Sequence, residues 1–298
     1  MSTKYYYSPS INIIRDLDKD LDYLPTSNAA QVYAQITNSF VSGTHSFNVV
    51  GSYGTGKSSF LWALEHQLNR KSKFFNSGNA NFNANDGFEF LPVVGRYSSL
   101  LGSFAAIFGI DSEDHTAQDV LNKISSHYSD IHNSGKGWLI AIDEFGKFLE
   151  YAANHNPGKE LYFLQQLAEF ANDNSKRILL VTTLHQGFND YAAALSKMQR
   201  NEWDKVKGRL KEITFNEPVE QLLLLASERI SSRQEKQKVQ SGFDGLFDCI
   251  AKSKTFPLND YFDKAIAQKL LPFDILQHQF LHYPYSAMVR TNDHCFSL

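Results

Sequence analysis

Residues Gly51 to Ser58 read GSYGTGKS, a complete GxxxxGK[ST] pattern, set between the apolar run Phe47, Val49, Val50 and the helix-like stretch Ser59 to Asn69. Strand, glycine loop and helix in that order form the context in which this pattern cradles phosphate. Few sequence features constrain a fold as tightly, because the loop needs a buried strand behind it and a helix N-terminus in front. Gly51, Gly54 and Gly56 can take backbone conformations closed to residues with a Cβ, which lets successive N–H groups turn inward. The candidate phosphate contacts are therefore Gly51, Ser52, Tyr53, Gly54, Thr55, Gly56, Lys57, Ser58 and Ser59. Lys57 is expected to reach the β- and γ-phosphates of a nucleotide, and the Ser58 hydroxyl to ligate Mg²⁺.

A second apolar run, Trp138 to Ile142, ends in Asp143-Glu144. It reads as a fully buried parallel strand with two carboxylates at its C-terminal end. Alone, that pair would read as a solvated acidic turn. Beside a full phosphate loop it reads as hydrolytic machinery, with Asp143 holding Mg²⁺ and Glu144 orienting or deprotonating the attacking water. A third run, Arg177 to Leu184, ends in polar residues: Thr182, Thr183, His185 and Gln186 cluster where a side chain sensing the γ-phosphate would sit. Thr183 is the first choice for that role, the alternative being a buried threonine bonded within its own sheet. His185 reads more readily as a satisfied structural histidine.

Strand-like runs alternate with helical patterns. Phe90 to Val94 predicts a further strand and Ser98 to Ile110 a segment leading into helix; Phe145 to Ala153 and Lys159 to Asn172 carry helical spacing, broken by Asn156-Pro157-Gly158. The implied class is α/β, a three-layer αβα sandwich on a parallel sheet with its ligand at the carboxyl ends of the strands. Asn76 to Asn85, rich in asparagine, reads as a polar surface loop. The chain divides on this reading into an N-terminal segment (1–26), a core (27–215) and a small helical lid with a C-terminal module (216–298). Within the last part, Glu217 to Arg229 reads as a leucine-rich amphipathic helix, Ile230 to Gly242 as an exposed helix end or linker, and Phe243 onward as a short second module.

A net charge of −3 gives no overall basic field toward nucleic acid, although a local basic face is left open. The cysteines Cys249 and Cys295 match no metal or redox spacing, which suits a reducing cytoplasm, and no stretch has the length and apolarity of a membrane span. Asp16, Asp18, Asp20 and Asp22 alternate like the start of a calcium loop, but Leu21 stands where glycine is needed and Ser27 where glutamate is needed. The stretch reads instead as a solvated N-terminal segment. The basic stretch from Lys197 to Arg209 reads either as a solvated helix face or as the carrier of an arginine finger, Arg209 ahead of Arg200, aimed at a neighbouring subunit's γ-phosphate.

Taken together, Tyr23-Leu-Pro-Thr26 ahead of a helix, GSYGTGKSS, WLIAIDE, ILLVTT and WDKVKGRLKEITF resemble the AAA+ ATPase superfamily, in particular its origin-recognition and STAND-like branch, over residues 20 to 235. IDEFGKFLEY, TTLHQ and EWDKVKGR are further similar to ATPase modules of bacterial anti-phage proteins of the BREX type. The resemblance implies an adenine pocket along Tyr23 to Thr26, Pro25 included, with Thr183 as first sensor and Arg209 as finger. It also implies ATP and Mg²⁺ as ligands, and homo- or hetero-oligomers with an effector protein. The expected function is Mg²⁺-dependent ATP hydrolysis that drives or gates assembly of a larger complex in prokaryotic defence or DNA transactions. The sensor position departs from the family's usual asparagine, and Tyr283 to Leu298 match no module, as in a chain separated from its effector. The rivals are a non-turnover ATP switch and a P-loop kinase. A GTPase is disfavoured because Asn122-Lys123 is followed by Ile124-Ser125 rather than by a guanine-reading aspartate.

Overall fold

The computed structural model describes residues 11–76, 82, 87–110, 115–192, 195–216, 227, 243–253 and 264–269. The chain forms two compact units, Met1–Asn216 and Glu217–Leu298.

In the first unit five strands make one sheet: β1 (Ser46–Val50), β2 (Phe88–Val94), β3 (Gly137–Asp143), β4 (Ile178–Leu184) and β5 (Lys211–Thr214). They lie in the order β2-β3-β4-β1-β5, and every pairing is parallel. Around them run α1 (Ser27–Val41), α2 (Lys57–Leu68), α3 (Leu100–Ile107), α4 (Ala117–Asn133), α5 (Gly146–Asn154), α6 (Pro157–Ala171) and α7 (Lys197–Lys207). The two central strands, β3 and β4, are buried at every position. Their apolar runs are continuous because helices cover both faces, and the pleat sends alternate side chains to opposite sides. Trp138, Ile140, Ile142, Ile178 and Leu180 enter one core with α3 to α7; Leu139, Ala141, Leu179 and Val181 enter another with Phe47, Val49, α1 and α2. The result is the expected three-layer αβα sandwich.

Helix starts follow their capping chemistry. The Asn156-Pro157-Gly158 break is the beginning of α6, with the Asn156 side chain accepting from Lys159 N at 3.3 Å and Pro157 in the first turn. From α6, buried Glu160 reaches the start of α3, accepting from Leu100 N at 3.0 Å, Leu101 N at 3.2 Å and the Ser99 hydroxyl. Removing that carboxylate strands donors that are already desolvated. Glu160→Ala is expected to cost about 1–3 kcal/mol, read as a fall of several degrees in the thermal midpoint; an unchanged midpoint would contradict this cap.

Three elements differ from the sequence reading. The aspartate-rich N-terminal stretch is not solvated throughout: Ile13 and Leu21 join the core with α1 and α2, and Asp16 is fully buried. Arg15 donates to Asp16 Oδ2 at 2.6 Å and Lys19 to Oδ1 at 2.6 Å, and together they hold its carboxyl well below the usual range. Charge alternation was therefore a misleading guide, because the adjacent cations allow one carboxylate to be buried. Helix α4 begins at a Thr116/Asp119 capping box and buries Val120, Ile124, Tyr128 and Ile131 on one face. Edge strand β5 buries only Ile213, so its alternation is too short to stand out.

The stretch Asn76 to Asn85 lies mostly outside the described residues, but Phe82 within it is buried. In the second unit Phe243–Ser253 and Lys264–Lys269 are helical, with Lys264 Nζ 2.9 Å from Asp248 Oδ1. The expected Glu217–Arg229 helix, apart from Ser227, the Ile230–Gly242 connection and the tail from Tyr283 lie outside the described residues.

Candidate functional site

Strands β1 and β4 are neighbours, yet the chain leaves β1 for the far edge strand β2 and leaves β4 for β5 on the other side. Helix α2, which follows β1, packs in one core, while α7, which follows β4, packs in the other. Connections that depart over opposite faces leave a crevice at the carboxyl ends of the two strands. The phosphate loop opens there.

Two of its glycines hold left-handed backbone, Gly54 at φ +78° and Gly56 at φ +91°. Gly51 is required for a different reason: a Cβ there would sit 2.0 Å from the Phe215 carbonyl oxygen, where the chain leaves β5. Inside the loop the Thr55 hydroxyl donates to Ser52 O at 2.9 Å. Helix α2 starts at Lys57 with Gly56 as its cap and no side chain accepting from its first turn. Its leading N–H groups and the positive end of its dipole are thus available to an anion. The Lys57 ammonium folds back on its own loop, donating to Gly51 O at 2.5 Å and Ser52 O at 2.7 Å. Burial lowers the lysine's pKa, and the nearby Asp143 charge opposes that shift.

Across the crevice β3 delivers Asp143, only 4% exposed. The Thr183 hydroxyl from β4 donates to Asp143 Oδ1 at 2.6 Å, and Glu144 N donates to both Asp143 Oδ1 and Thr183 Oγ1 at 3.0 Å. Of the two alternatives for Thr183, its hydroxyl is bonded, to the carboxylate and amide of the neighbouring strand end. Among the described residues no hydrogen bond reaches Asp143 Oδ2. Glu144 stands at φ +52°, a conformation that costs a residue with a Cβ about 1–3 kcal/mol and persists only where its surroundings enforce it. Three contacts do so: its own N–H bonds, Phe145 N donating to Thr183 O at 3.0 Å, and Gly95, whose N–H bonds Asp143 O at 2.7 Å. A Cβ on Gly95 would lie 2.0 Å from Glu144 O. The Glu144 carboxylate, 44% exposed, forms an ion pair with Lys147 one helical turn on.

These groups enclose a cleft of about 340 Å³ lined by Lys57, Ser58, Asp143, Glu144, Thr183 and His185, among others. Ser59 and Gly56 also face it. Among the described residues no cluster of three or more His, Cys, Asp or Glu could hold a metal alone. The Ser58 hydroxyl and the Asp143 oxygen that no described hydrogen bond reaches are hard oxygen donors of the kind Mg²⁺ accepts when its remaining ligands come from phosphate and water. A larger groove of about 690 Å³, among Phe40, His45, Lys136 and Arg177, lies at the opposite ends of the strands and contains none of the motif residues.

Other residues singled out in the sequence sit elsewhere. Tyr23 packs edge-on against Phe74, with ring centroids 5.1 Å apart, and near Trp62; Pro25 is exposed, and neither lines the cleft. Thr182 bonds the β1 residues Phe47 and Asn48 and is a cross-strand tie. Arg209 precedes β5, at the end of the sheet away from the loop, where it donates to Glu169 Oε1 at 2.7 Å and Lys205 O at 2.5 Å. Arg200 donates to Leu195 O at 3.1 Å. Sequence reasoning missed Lys147, whose i,i+3 spacing from Glu144 was a readable signal, and Gly95, whose role depends on a long-range approach with no local signature. It also treated Tyr53 and His185 separately. Their rings stack, with centroids 4.2 Å apart, and Tyr53 Oη lies 2.9 Å from His185 Nε2.

The parallel sheet, the glycine loop between β1 and α2 and the carboxylate pair ending β3 define the fold as that of a P-loop NTPase. No family model matches the chain, and no curated protein sequence matches it. Among solved structures it is similar to the ORC2 protein of Aeropyrum pernix. To the ADP form the identity is 14%, covering 93% of this chain and 68% of that one, with a TM-score of 0.49. To the ADPNP-ADP complexes of the same protein the identity is 15%, covering 72% of this chain and 55% of that one, with a TM-score of 0.45. A Walker-type ATPase of Pyrococcus abyssi is 13% identical over 91% of this chain and 71% of its own, with a TM-score of 0.42. Among the described residues no helix is long and apolar enough to cross a membrane.

Proposed function

We propose that the chain binds Mg²⁺-ATP in the cleft at the β1–β4 crevice and hydrolyses it, and that this cycle drives or gates assembly of a larger complex. The observation that carries the reading is Glu144, held in a costly backbone conformation by its neighbours while it lines the same cleft as Lys57. A scaffold that only bound phosphate would have no use for that placement.

Lys57, the loop N–H groups and the α2 N-terminus hold the phosphates, while Ser58 and Asp143 hold Mg²⁺, with Thr183 orienting the aspartate. When bound, Mg²⁺ neutralises charge on the phosphate oxygens. Glu144, released from Lys147, accepts a proton from the water as its oxygen attacks the terminal phosphorus, and the bond from that phosphorus to the β–γ bridging oxygen breaks, so that ADP leaves with the bond's electron pair and inorganic phosphate is formed. Thr183 serves as the sensor only through Asp143. Arg209 is the finger for a neighbouring copy, which requires it to exchange Glu169 for a phosphate. The sequence resemblance alone supports an adenine end at Tyr23 and Pro25, which lie outside the cleft that the motif residues line. The sequence resemblance supports a cytoplasmic setting in anti-phage defence or DNA transactions, an oligomer with an effector, and DNA as an open partner.

The second reading, an ATP switch without turnover, is favoured by one observation: Lys147 occupies the Glu144 carboxylate. A kinase would need an acceptor other than water. Phosphate release by wild type and Glu144→Gln separates these readings. Hydrolysis predicts a drop of about 10²-fold or more in the variant. Equal background rates in both proteins, with ATP bound, would leave the switch.

A further inference from the structure

We propose that the groove at the amino ends of β1, β3 and β4 is a second binding site, for a small organic phosphate: a phosphate monoester on an apolar or ring-bearing body. It is separate from the phosphate loop and does not depend on the nucleotide reading above.

Strand order builds the groove. Because β3, β4 and β1 are neighbours in the sheet, Lys136, Arg177 and His45, each the residue just before its strand, arrive side by side across about 10 Å. Trp138 N donates to Arg177 O at 2.9 Å and Leu180 N to His45 O at 2.9 Å, which fixes these starts against one another. Strand β3 has seven residues, so the groove lies roughly 20 Å from Asp143 at the strand's other end. Its volume of about 690 Å³ falls within the range of small-molecule sites, about 300–1,000 Å³.

Charge sets the class of ligand. Among the described residues lining the groove are Lys136, Lys176 and Arg177 and no aspartate or glutamate, in a chain whose net charge is −3. Lys176 is paired with Asp173, but among the described residues neither Lys136 nor Arg177 meets a carboxylate. Arg177 is half-buried: its Nη2 donates to Phe82 O at 2.7 Å, its guanidinium lies 5.3 Å from the Phe88 ring centre, and its buried Nε has no hydrogen-bond partner among the described residues. Burial lowers its pKa, a shift opposed by Tyr128 and by no carboxylate. A cation taken from water without a counter-charge is costly, and an anion in the groove would supply that charge.

Donors at the mouth are uncommitted as well. The exposed side chains of Lys136, His132 and Asn174 make no hydrogen bond among the described residues. Asn174 keeps its place on the wall because residue 43 is glycine, at φ +92°, where a Cβ would lie 2.9 Å from Asn174 Oδ1. A phosphate monoester suits this set better than a carboxylate does, since its three terminal oxygens accept from several donors at once and its near-double charge matches Lys136 and Arg177 together. The β1 side of the groove is apolar. Phe40, stacked on His45 with centroids 4.1 Å apart, and the exposed Val41 line it and offer a surface for the body of the ligand. A nucleic-acid strand would call for cations repeated along a track, whereas the unpaired cations here are gathered at two adjacent strand starts.

The test is equilibrium calorimetry on the full chain with three probes: inorganic phosphate, phenyl phosphate and oligothymidylates of increasing length. Phenyl phosphate is expected to bind about 5-fold or more tighter than inorganic phosphate, through the apolar side of the groove. Lys136→Glu, a change at an exposed position, is expected to weaken phenyl phosphate by about 10-fold or more, the loss typical of a hydrogen bond to a charged group, and Lys136→Arg to keep most of the affinity. Lys57→Ala is expected to leave it within about 2-fold, because the phosphate loop is at the other end of the sheet. Absence of saturable binding by wild type, or binding that is lost in Lys57→Ala and kept in Lys136→Glu, would overturn the site. Equal affinity for inorganic and phenyl phosphate would reduce it to an adventitious anion only and overturn the ligand class. Affinity for thymidylate that climbs with length past that for phenyl phosphate would overturn the small-molecule assignment in favour of a nucleic-acid strand.

Discussion

Lys57→Ala is expected to weaken Mg²⁺-ATP binding by about 100-fold or more, enough to abolish saturation at ordinary nucleotide concentrations. Among the described residues lining the cleft, Lys57 is the only lysine or arginine, and it feels the charge of Asp143. Without it, an anionic triphosphate would meet the Asp143 carboxylate with no cationic side chain on the loop to offset it. Charge-assisted hydrogen bonds contribute about 1.5–3 kcal/mol each, and Lys57 is expected to make them to two phosphates. The same ammonium ties Gly51 O and Ser52 O in the free protein, so the loop also loses an internal brace. Circular dichroism and the thermal midpoint, measured without nucleotide, separate that local loosening from unfolding. Calorimetry then reads the affinity, and a value within threefold of wild type would sink the assignment of this cleft.

Thr183→Val is expected to act on the metal rather than on the nucleotide. Valine matches threonine in shape but removes both the donor to Asp143 Oδ1 and the acceptor for Glu144 N, at a position with almost no access to water. The aspartate is then free to rotate, and one anchor of the left-handed Glu144 is gone. Losing such an orienting partner typically costs 10- to 100-fold in metal affinity or activity. The Mg²⁺ concentration giving half-maximal phosphate release is therefore expected to rise by about that factor, with nucleotide affinity in the absence of Mg²⁺ little changed. Thr183→Ser keeps the hydroxyl and should behave nearly as wild type. A Mg²⁺ dependence identical in Thr183→Val and wild type would show that the hydroxyl does not orient Asp143.

How far the sequence was readable depended on the range of each interaction. The phosphate loop, Trp138 to Asp143 and Ile178 to Leu184 were legible because glycines and continuous apolar runs report local backbone demands and burial on two faces. Helix α6 was legible from its apolar spacing, although its break at Asn156-Pro157 proved to be its cap. Asp16 was misread because alternation of charge says nothing about whether Arg15 and Lys19 will fold over it. Lys147 could have been found from its spacing, since residues three apart share a helix face. The Tyr53–His185 contact could not, with 132 positions between its members and no periodicity linking them.

The sequence alone determined the layered α/β class, the position of the phosphate loop and the residue types at the strand ends, because these follow from local conformation and hydrophobic burial. Tertiary structure decided what those residues do to one another. Only the β2-β3-β4-β1-β5 order places Thr183 against Asp143, packs Gly95 beneath Glu144 and draws His185 over Tyr53. These contacts join strand ends that are neighbours in the sheet and distant along the chain. Strand order is set by how the helices pack across both faces, a collective outcome that no single segment encodes.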